Sequence, residues 1–310
     1  MESFGWAAVR PGSPPLRQEL ITPSRLLMLI SFARWLVQHW PFQRGRWRLI
    51  DLFSKALLPC DENIAPMGPV LFPFQPYQWN FFFGVYEPET KGLLEILLGP
   101  GDVFIDVGAN VGYFSAVAAG AVGTSGRVVA LEPEPVHYGR LKRLAEINPS
   151  YPIDARQMAV SDLRGRMSFY LCDHPGWHSL IADFPQAPIK EVIEVDTLSL
   201  DTLLSECGLN SADSVRLVKV DVEGAEHLVL RGAAEAIRQQ WVQAFYVEVT
   251  PSVHSGELVR LLAKAGYLAF RASPQGKGWY RDSLDQTPSV QENILWISDK
   301  NPQLLAKIKN

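Results

Sequence analysis

The fold is decided by the stretch Val103-Phe-Ile-Asp-Val-Gly-Ala-Asn-Val-Gly-Tyr-Phe-Ser115, which runs from an apolar strand through two glycines into a helix. Its first five residues are apolar except for Asp106, a composition typical of a strand buried on both faces of a parallel sheet. Gly108 and Gly112 allow a sharp turn and let a ligand approach bare backbone. The small apolar residues that follow predict a helix over residues 113–121 that packs closely on the sheet.

The spacing of this turn indicates the class of ligand. A dinucleotide site would carry G-x-G-x-x-G, because a pyrophosphate sits against bare backbone at the helix N-terminus. Here the pattern is Asp106-x-Gly108-x-x-x-Gly112, which lacks the first glycine pair and places an acid beside the ligand. An acid suits the ammonium and sulfonium groups of S-adenosylmethionine better than a diphosphate. The pattern therefore argues against a nicotinamide oxidoreductase.

A second buried strand, over residues 128–131, ends in Glu132 and Pro133. An acid at the tip of the second strand of such a sheet accepts hydrogen bonds from both ribose hydroxyls of a bound nucleoside. The turn and the strand-end acid together predict a site for S-adenosylmethionine. The alternative is an ordinary tight turn followed by a solvated Glu132.

Three stretches carry a resemblance to a known family: DVGANVGYFS at 106–115, LEPEP at 131–135 and VDVEGAE at 220–226. Together they resemble the FkbM family of S-adenosylmethionine-dependent methyltransferases, over about residues 84–298. The resemblance implies an α/β, Rossmann-like class I methyltransferase fold with a doubly wound, mostly parallel sheet and an N-terminal helical extension. It also implies O-methylation, commonly of hydroxyls on sugars or natural products.

The predicted cofactor site combines the turn, the end of the second strand and the end of the third strand. A third strand is predicted over residues 153–160, and the residues directly after it lie where this fold class contacts the adenine. The full set is Asp106, Gly108, Asn110, Gly112, Tyr113, Glu132, Pro133, Ser161 and Asp162.

Strands and helices alternate along the rest of the chain, which predicts a doubly wound sheet that binds ligands at the carboxyl ends of its strands. The predicted elements include a hairpin strand over 166–171, a fourth core strand over 217–220, one long helix ending near Gln240 and a fifth strand over 244–249. The predicted domains are a flexible tail at 1–21, a helical extension or cap at 22–68, a methyltransferase domain at 69–300 and a C-terminal tail at 301–310.

The N-terminal extension has two interpretations. A helix predicted from Pro23 to Trp40 either covers the acceptor pocket as a cap, or contacts a membrane or a partner through its tryptophans and arginines. Its apolar run, which starts at Leu26, is interrupted by charged and polar residues well before the roughly 20 apolar residues that a membrane span needs. We therefore expect no transmembrane segment, and peripheral membrane contact stays open.

Composition argues against several classes of protein. Hydrophobic residues make up 47% of the 310 residues and charged residues 20%, which is ordinary for a globular protein. The net charge of -4 gives no electrostatic reason to expect a nucleic-acid partner. The three cysteines show neither disulfide nor zinc spacing, and no signal-peptide pattern is present, so the expected location is the cytoplasm. The oligomeric state does not follow from the sequence.

Acids at the ends of the fourth and fifth strands are the candidate catalytic residues. Asp221 and Glu223 follow the fourth strand, and Glu248 lies in the fifth. Burying an idle carboxylate in an apolar strand is costly, so we expect these acids to act as base, as orienter of the acceptor hydroxyl, or as ligands of a divalent cation such as Mg²⁺. His178, in an irregular loop, is a further candidate base. Glu226 is better explained as an acid in the first turn of a helix.

The acceptor is predicted to be a hydroxyl. An amino-group or nucleobase methyltransferase would favour an N-P-P-Y tetrapeptide after the fourth strand, and here that place reads Asp-Val-Glu-Gly, residues 221–224. The hydroxyl would belong to a small molecule, a sugar or glycan, or a natural product. The alternatives are a methyltransferase of a protein or nucleic acid and a non-catalytic protein that binds S-adenosylmethionine.

Overall fold

The structure is a computed structural model. It describes residues 32, 35–37, 63–74, 79–173, 176–183, 188–212, 214–252, 254–273, 278–283 and 288–308. The predicted tail at 1–21 and most of the predicted extension at 22–68 lie outside these residues. Within the extension, residues 32 and 35–37 are helical.

The strands of the described residues form three sheets. In chain order they are β1 (Asn63–Met67), β2 (Val70–Phe74), β3 (Val103–Val107), β4 (Arg127–Leu131), β5 (Ile153–Arg156), β6 (Ala159–Ser161), β7 (Gly165–Cys172), β8 (Ile189–Ser199), β9 (Val215–Val220), β10 (Val242–Val249), β11 (Tyr267–Ala272), β12 (Trp279–Asp282) and β13 (Glu292–Ser298). The strands β1 and β2 pair with each other, and the remaining strands build a large and a small sheet.

The helices lie mainly between the strands. They are α1 (Trp79–Phe83), α2 (Pro88–Leu97), α3 (Tyr113–Val122), α4 (Pro135–Ile147), α5 (Leu200–Glu206), α6 (Glu226–Arg231), α7 (Ala234–Arg238), α8 (Ser255–Lys264) and α9 (Pro302–Lys307). Within the described part of the chain, no helix combines the length and the apolar character that crossing a membrane requires.

The large sheet has the strand order β12-β11-β13-β10-β9-β3-β4-β5. Its five strands from β10 to β5 run parallel, and β3 lies between β9 and β4. Ile105 of β3 pairs in register with Val129 and Val218, and all three side chains are fully buried. The apolar runs thus form a sheet covered on both faces, and the doubly wound α/β fold expected from the sequence is confirmed.

The predicted third strand is two strands in two different sheets. Residues 153–156 form β5 in the large sheet, whereas residues 159–161 form β6 beside β8 in the small sheet. The chain bends between them, where Met158 N donates a hydrogen bond to Arg156 O at 3.2 Å. The prediction of one strand over 153–160 was wrong because a bend of two residues leaves no gap in the apolar pattern.

The long helix predicted after the fourth strand is also divided. It is replaced by the short helices α6 and α7, which are separated at Gly232. The carbonyl of Gly232 accepts a hydrogen bond from Asp201 N at 2.9 Å. The Asp201 carboxylate accepts hydrogen bonds from Glu235 N at 2.9 Å and Ala236 N at 2.7 Å. A carboxylate 34 residues upstream therefore caps the second helix, which sequence periodicity cannot show.

Contacts divide the chain into two compact units, Met1–Ala65 with Pro73–Pro88 and Pro66–Phe72 with Glu89–Asn310. In the first unit, the exposed rings of Phe32 and Trp35 stack with their centroids 6.3 Å apart. In the second unit, the segment predicted as a C-terminal tail contains α9, whose Leu304 is fully buried.

The break at Gly232 generates a stability prediction. Gly232→Ala should lower the free energy of unfolding by about 1–3 kcal/mol, because the added Cβ would lie 2.1 Å from Ser161 O and the backbone would have to move. Gly139→Ala in α4 is the matched control, since nothing lies within 4 Å of its added Cβ. It should raise stability by about 0.5–1 kcal/mol through helix propensity. Urea unfolding of the three proteins measures both effects, and a stabilised Gly232→Ala protein would contradict the packing argument.

Candidate functional site

Glu132 closes the turn that follows β3. Its Oε2 accepts a hydrogen bond from Asn110 N at 2.8 Å, and its Oε1 accepts one from Glu134 N at 2.9 Å. Asn110 has a left-handed φ of 52°, a conformation that Asn tolerates better than most residues, and its Oδ1 accepts a hydrogen bond from Val111 N. These bonds fix the Glu132 carboxylate at the carboxyl ends of β3 and β4.

The Glu132 carboxyl group is almost completely buried. Burial raises the pKa of Glu132 to about 7, although the backbone hydrogen bonds from Glu134 and Asn110 lower it. The group therefore changes its charge near neutral pH. A ligand that donates hydrogen bonds to it would favour the ionised form.

The two glycines of the turn are required by packing within the protein. A Cβ on Gly108 would lie 1.9 Å from the carbonyl oxygen of Asp221, and a Cβ on Gly112 would lie 2.9 Å from both Leu141 and Leu144. Both glycines also have positive φ, of 80° and 86°. Sequence reasoning assigned them to ligand approach, whereas the space beside each is filled by protein. We call residues 108–112, the turn predicted to bind the cofactor, the cofactor turn. The Gly108 contact brings this turn against the chain that leaves β9.

Asp106 and Lys219 lie opposite each other on β3 and β9. Both side chains are buried. Ser115 Oγ donates a hydrogen bond to Asp106 Oδ2 at 2.6 Å, while Asp106 Oδ1 is buried and accepts no hydrogen bond in the described part of the protein. Burial raises the pKa of Asp106, and the Lys219 ammonium opposes that rise. This pair places an acid and a cation beneath the turn.

Three carboxylates gather at the ends of β9 and β10. Asp221, Glu223 and Glu248 each offer an oxygen, and these oxygens lie within 4.8 Å of one another. Lys219 Nζ donates to Asp221 Oδ2 at 2.7 Å, so this carboxylate is held by an ion pair. We call Asp221, Glu223 and Glu248 the acid cluster. The structure thus brings together three of the four residues predicted to be catalytic.

Glu248 is the acid of the cluster that lies within a strand, and its pKa is raised. Burial, together with the neighbouring Asp221 and Glu223 carboxylates, raises the pKa of Glu248 to about 9, and a hydrogen bond with Gln291 opposes this. Its Oε2 is buried and accepts no hydrogen bond from the described residues. At neutral pH this carboxyl group is protonated, so it is better suited to donate a hydrogen bond than to accept a proton.

Glu226 organises the backbone beside the acid cluster. It is 3% exposed, and its Oε1 accepts a hydrogen bond from Gly224 N at 2.9 Å. Burial raises the pKa of Glu226 to about 7 against these backbone hydrogen bonds. The residue does begin helix α6, but its carboxylate binds the preceding loop, which sequence reasoning missed.

His178, the fourth predicted catalytic residue, is placed by other contacts. Its Nδ1 accepts a hydrogen bond from Cys172 N at 3.1 Å, and its ring stacks on His137 with the centroids 5.6 Å apart. The ring of Phe169 meets it edge-on. Among the described residues the acid cluster forms without it. These contacts hold the His178 ring in the loop between β7 and β8, and its catalytic role stays a prediction.

The remaining predicted cofactor residues lie in different settings. Tyr113 is 3% exposed and packs edge-on against Phe72 and Phe114, which makes it part of the core. Pro133 is buried directly after β4. Ser161 ends β6 in the small sheet, and its Oγ donates to Asp162 Oδ1 at 3.2 Å. Ser161 and Asp162 therefore follow a strand of the small sheet, and their contact with the adenine stays a prediction.

Comparison with known proteins identifies the family. The family model described as the methyltransferase FkbM domain matches residues 106–269, which is more than half of the chain. The chain belongs to the FkbM methyltransferase family. The resemblance drawn from the sequence is confirmed, and so is the enzyme class, an S-adenosylmethionine-dependent methyltransferase.

Individual relatives share about a third or less of their aligned residues with this chain. The 31-O-demethyl-FK506 methyltransferase FkbM of Streptomyces tacrolimicus is 31% identical over 202 residues, which cover 55% of this chain and 74% of that protein. The hexuronic acid methyltransferase AglP of Haloferax volcanii is 29% identical over 166 residues, which cover 53% of this chain and 62% of that protein. The crystal structure of methyltransferase FkbM from Methylobacillus flagellatus aligns with a TM-score of 0.42 and 15% identity, covering 88% of this chain and 60% of that one.

Two residues of this FkbM domain were not predicted from the sequence, although both contact residues 221–224, which we call the acidic loop. Lys219 stands in an apolar strand, and its Nζ lies 5.1 Å from the centre of the Phe114 ring in addition to its bond to Asp221. A lysine inside a buried strand was the available signal. Ser179 is 0% exposed, and its Oγ donates a hydrogen bond to Glu223 O at 2.6 Å. No sequence signal marks that contact.

The raised pKa of Glu132 predicts how cofactor affinity depends on pH. If Glu132 binds the ribose as predicted, the hydroxyls would donate to its ionised carboxylate, and S-adenosylmethionine should bind more weakly as the pH falls below about 7, by up to about tenfold per unit. Glu132→Gln should bind about 1.5–3 kcal/mol more weakly at pH 8 and should lose this part of the pH dependence. Calorimetry at pH 6, 7 and 8 measures both proteins.

Comparing wild type with Glu132→Gln isolates the contribution of Glu132 to the pH dependence, because any titration of the cofactor itself affects both proteins equally. Glu194→Gln, on the outer part of β8, is the control and should behave as the wild type. An unchanged pH dependence in Glu132→Gln would contradict the assignment of the ribose site.

Proposed function

We propose that this protein transfers the methyl group of S-adenosylmethionine to a hydroxyl oxygen of a small molecule or a sugar. The observation that carries the proposal is the contact between the cofactor turn and the acid cluster, since Gly108 touches the backbone of Asp221. A bound cofactor and the candidate base are thereby neighbours. The relatives support the acceptor class, since their names refer to a 31-O-demethyl compound and a hexuronic acid.

The buried acids fit the cofactor. Glu132 is held by backbone donors and would accept hydrogen bonds from the ribose hydroxyls. Asp106 Oδ1 is a buried acceptor without a donor in the described residues, which the ammonium group would satisfy. The remaining predicted cofactor residues stay a proposal: Gly108, Asn110, Gly112, Tyr113, Pro133, Ser161 and Asp162. When bound, the cofactor supplies an activated methyl group on a positively charged sulfur.

Asp221 is the proposed base. Methyl transfer to oxygen requires the acceptor hydroxyl to lose its proton, and a positioned base contributes roughly 10²–10⁴-fold to such a step. Lys219 engages Asp221 Oδ2, which fixes the carboxylate and leaves its other oxygen to accept from the hydroxyl. Glu248, protonated at neutral pH, would donate a hydrogen bond that orients the acceptor. His178 has no role in this proposal.

A second candidate role for the acid cluster is to hold a divalent cation. Its three carboxylate oxygens within 4.8 Å, and the buried Glu248 Oε2 without a donor in the described residues, suit a hard cation such as Mg²⁺. The Lys219 ammonium opposes this role, because it already neutralises Asp221 at 2.7 Å. We therefore favour the base over the metal ligand.

Transfer itself is tested with S-adenosylmethionine labelled in its methyl group. We expect labelled product with hydroxylated acceptors such as glucuronic acid or an O-demethylated macrolide, and none with RNA or with protein substrates. Label found only in protein or RNA would show that the acceptor is a macromolecule and not a small hydroxylated compound. Tight cofactor binding with no labelled product from any of these acceptors would indicate a non-catalytic binding protein.

Asp221→Asn tests the base. The substitution nearly preserves shape and removes the charge, so turnover should fall about 10²-fold or more, while the cofactor dissociation constant measured by calorimetry should change little. Asp196→Asn, on β8 in the small sheet, is the control and should retain turnover. A folded Asp221→Asn protein with wild-type turnover would show that the carboxylate is structural.

Chelation separates the two roles of the acid cluster. If Asp221 is the base, dialysis against EDTA should leave turnover unchanged, because Lys219 supplies the local positive charge. Loss of turnover in EDTA with recovery in Mg²⁺ or Mn²⁺ would reassign Asp221, Glu223 and Glu248 as metal ligands. Turnover before and after dialysis is measured on the same labelled product.

A further inference from the structure

Glu223 and Gly224, the two residues joined by one peptide bond of the acidic loop, both have positive φ. Glu223 has φ 53° and Gly224 has φ 95°. Glycine adopts positive φ freely, whereas a glutamate there is strained and persists only where its surroundings impose it. The conformation matters because Glu223 belongs to the acid cluster. Something outside the local sequence must therefore hold this residue.

Both polar groups of that peptide bond are held by buried side chains. Ser179 Oγ donates a hydrogen bond to Glu223 O at 2.6 Å. Glu226 Oε1 accepts a hydrogen bond from Gly224 N at 2.9 Å. Ser179 is 0% exposed and Glu226 is 3% exposed, so water does not compete for either bond. The two side chains form a clamp on one peptide group.

Ser179 is itself fixed within the loop that joins β7 and β8. Its backbone exchanges two hydrogen bonds with Tyr170, at 2.8 and 3.2 Å, and its Oγ accepts one from Ile181 N at 3.0 Å. The adjacent side chain of Leu180 packs in a cluster with Ala225, which directly follows Gly224. The loop therefore contacts the acidic loop through both a hydrogen bond and apolar packing.

We propose that Ser179 is a positioning residue that sets the place of Glu223 in the acid cluster. The small sheet thereby takes part in the active site without supplying a reacting group. This inference rests on the proposed function, in which the acid cluster faces the acceptor. It assigns to the β7–β8 loop the alignment of Glu223, while β3 leads into the cofactor turn and β9 leads into Asp221.

The clamp is tested first by hydrogen exchange, which needs no acceptor. In Ser179→Ala, amides in residues 222–226 should exchange about tenfold faster, the change that a lost hydrogen bond of ordinary strength gives. Residues 215–220 in β9 should be unaffected. Ser168→Ala, which removes a surface hydrogen bond to Glu194 within the same hairpin, is the matched control and should leave residues 222–226 unchanged. Unchanged exchange in Ser179→Ala would overturn the clamp.

The positioning role is tested by turnover with glucuronic acid as the probe acceptor. Ser179→Ala should lower kcat about tenfold, with the cofactor dissociation constant within about threefold of wild type. In a Glu223→Gln background the same substitution should cause no further loss, because its effect passes through Glu223. An equal loss in both backgrounds, or faster exchange with wild-type kcat, would overturn the positioning role. If the wild-type protein methylates no hydroxyl acceptor, the proposed function fails. The hydrogen-exchange result then still shows whether Ser179 holds the peptide group between Glu223 and Gly224.

Discussion

The close approach of Gly108 to the carbonyl of Asp221 is the constraint on which the rest of the site depends. The strands β3 and β9 are paired up to Val107 and Val220, and Asp221 N then donates to Val107 O at 3.1 Å. With no side chain at Gly108, the cofactor turn and the acidic loop leave the sheet in contact. Any larger residue would push apart the two strand ends and, with them, the cofactor turn and the acid cluster.

Burial of several carboxyl groups, two of them beside the Lys219 ammonium, gives the site its electrostatic character. Burial is the largest cause of the raised pKa of each of four carboxyl groups: Asp106, Glu132, Glu226 and Glu248. The Lys219 ammonium opposes this rise in the pKa of Asp106. A ligand with ammonium and sulfonium groups favours the ionised carboxylates, so its binding is linked to the release of protons. The same arrangement would oppose a diphosphate, as the spacing of the turn indicates.

Local patterns predicted much of the fold and less of the site. The strands predicted at 103–107, 217–220 and 244–249 are found as β3, β9 and β10, because an apolar run acts within a few positions. The helix break at Gly232 depends on Asp201, and the reason for Gly108 is a carbonyl on another strand. Such contacts join residues far apart in the chain, which composition and spacing do not record.

The large and the small sheet contact different parts of the candidate site. The large sheet fixes the cofactor turn through the pairing of β3 with β4 and β9. The small sheet reaches the acidic loop through one apolar cluster, in which Phe169 and Val195 pack with Val222 and Ala225. Changes in the hairpin therefore act on the loop that carries Glu223 while the strands beneath the cofactor turn stay paired.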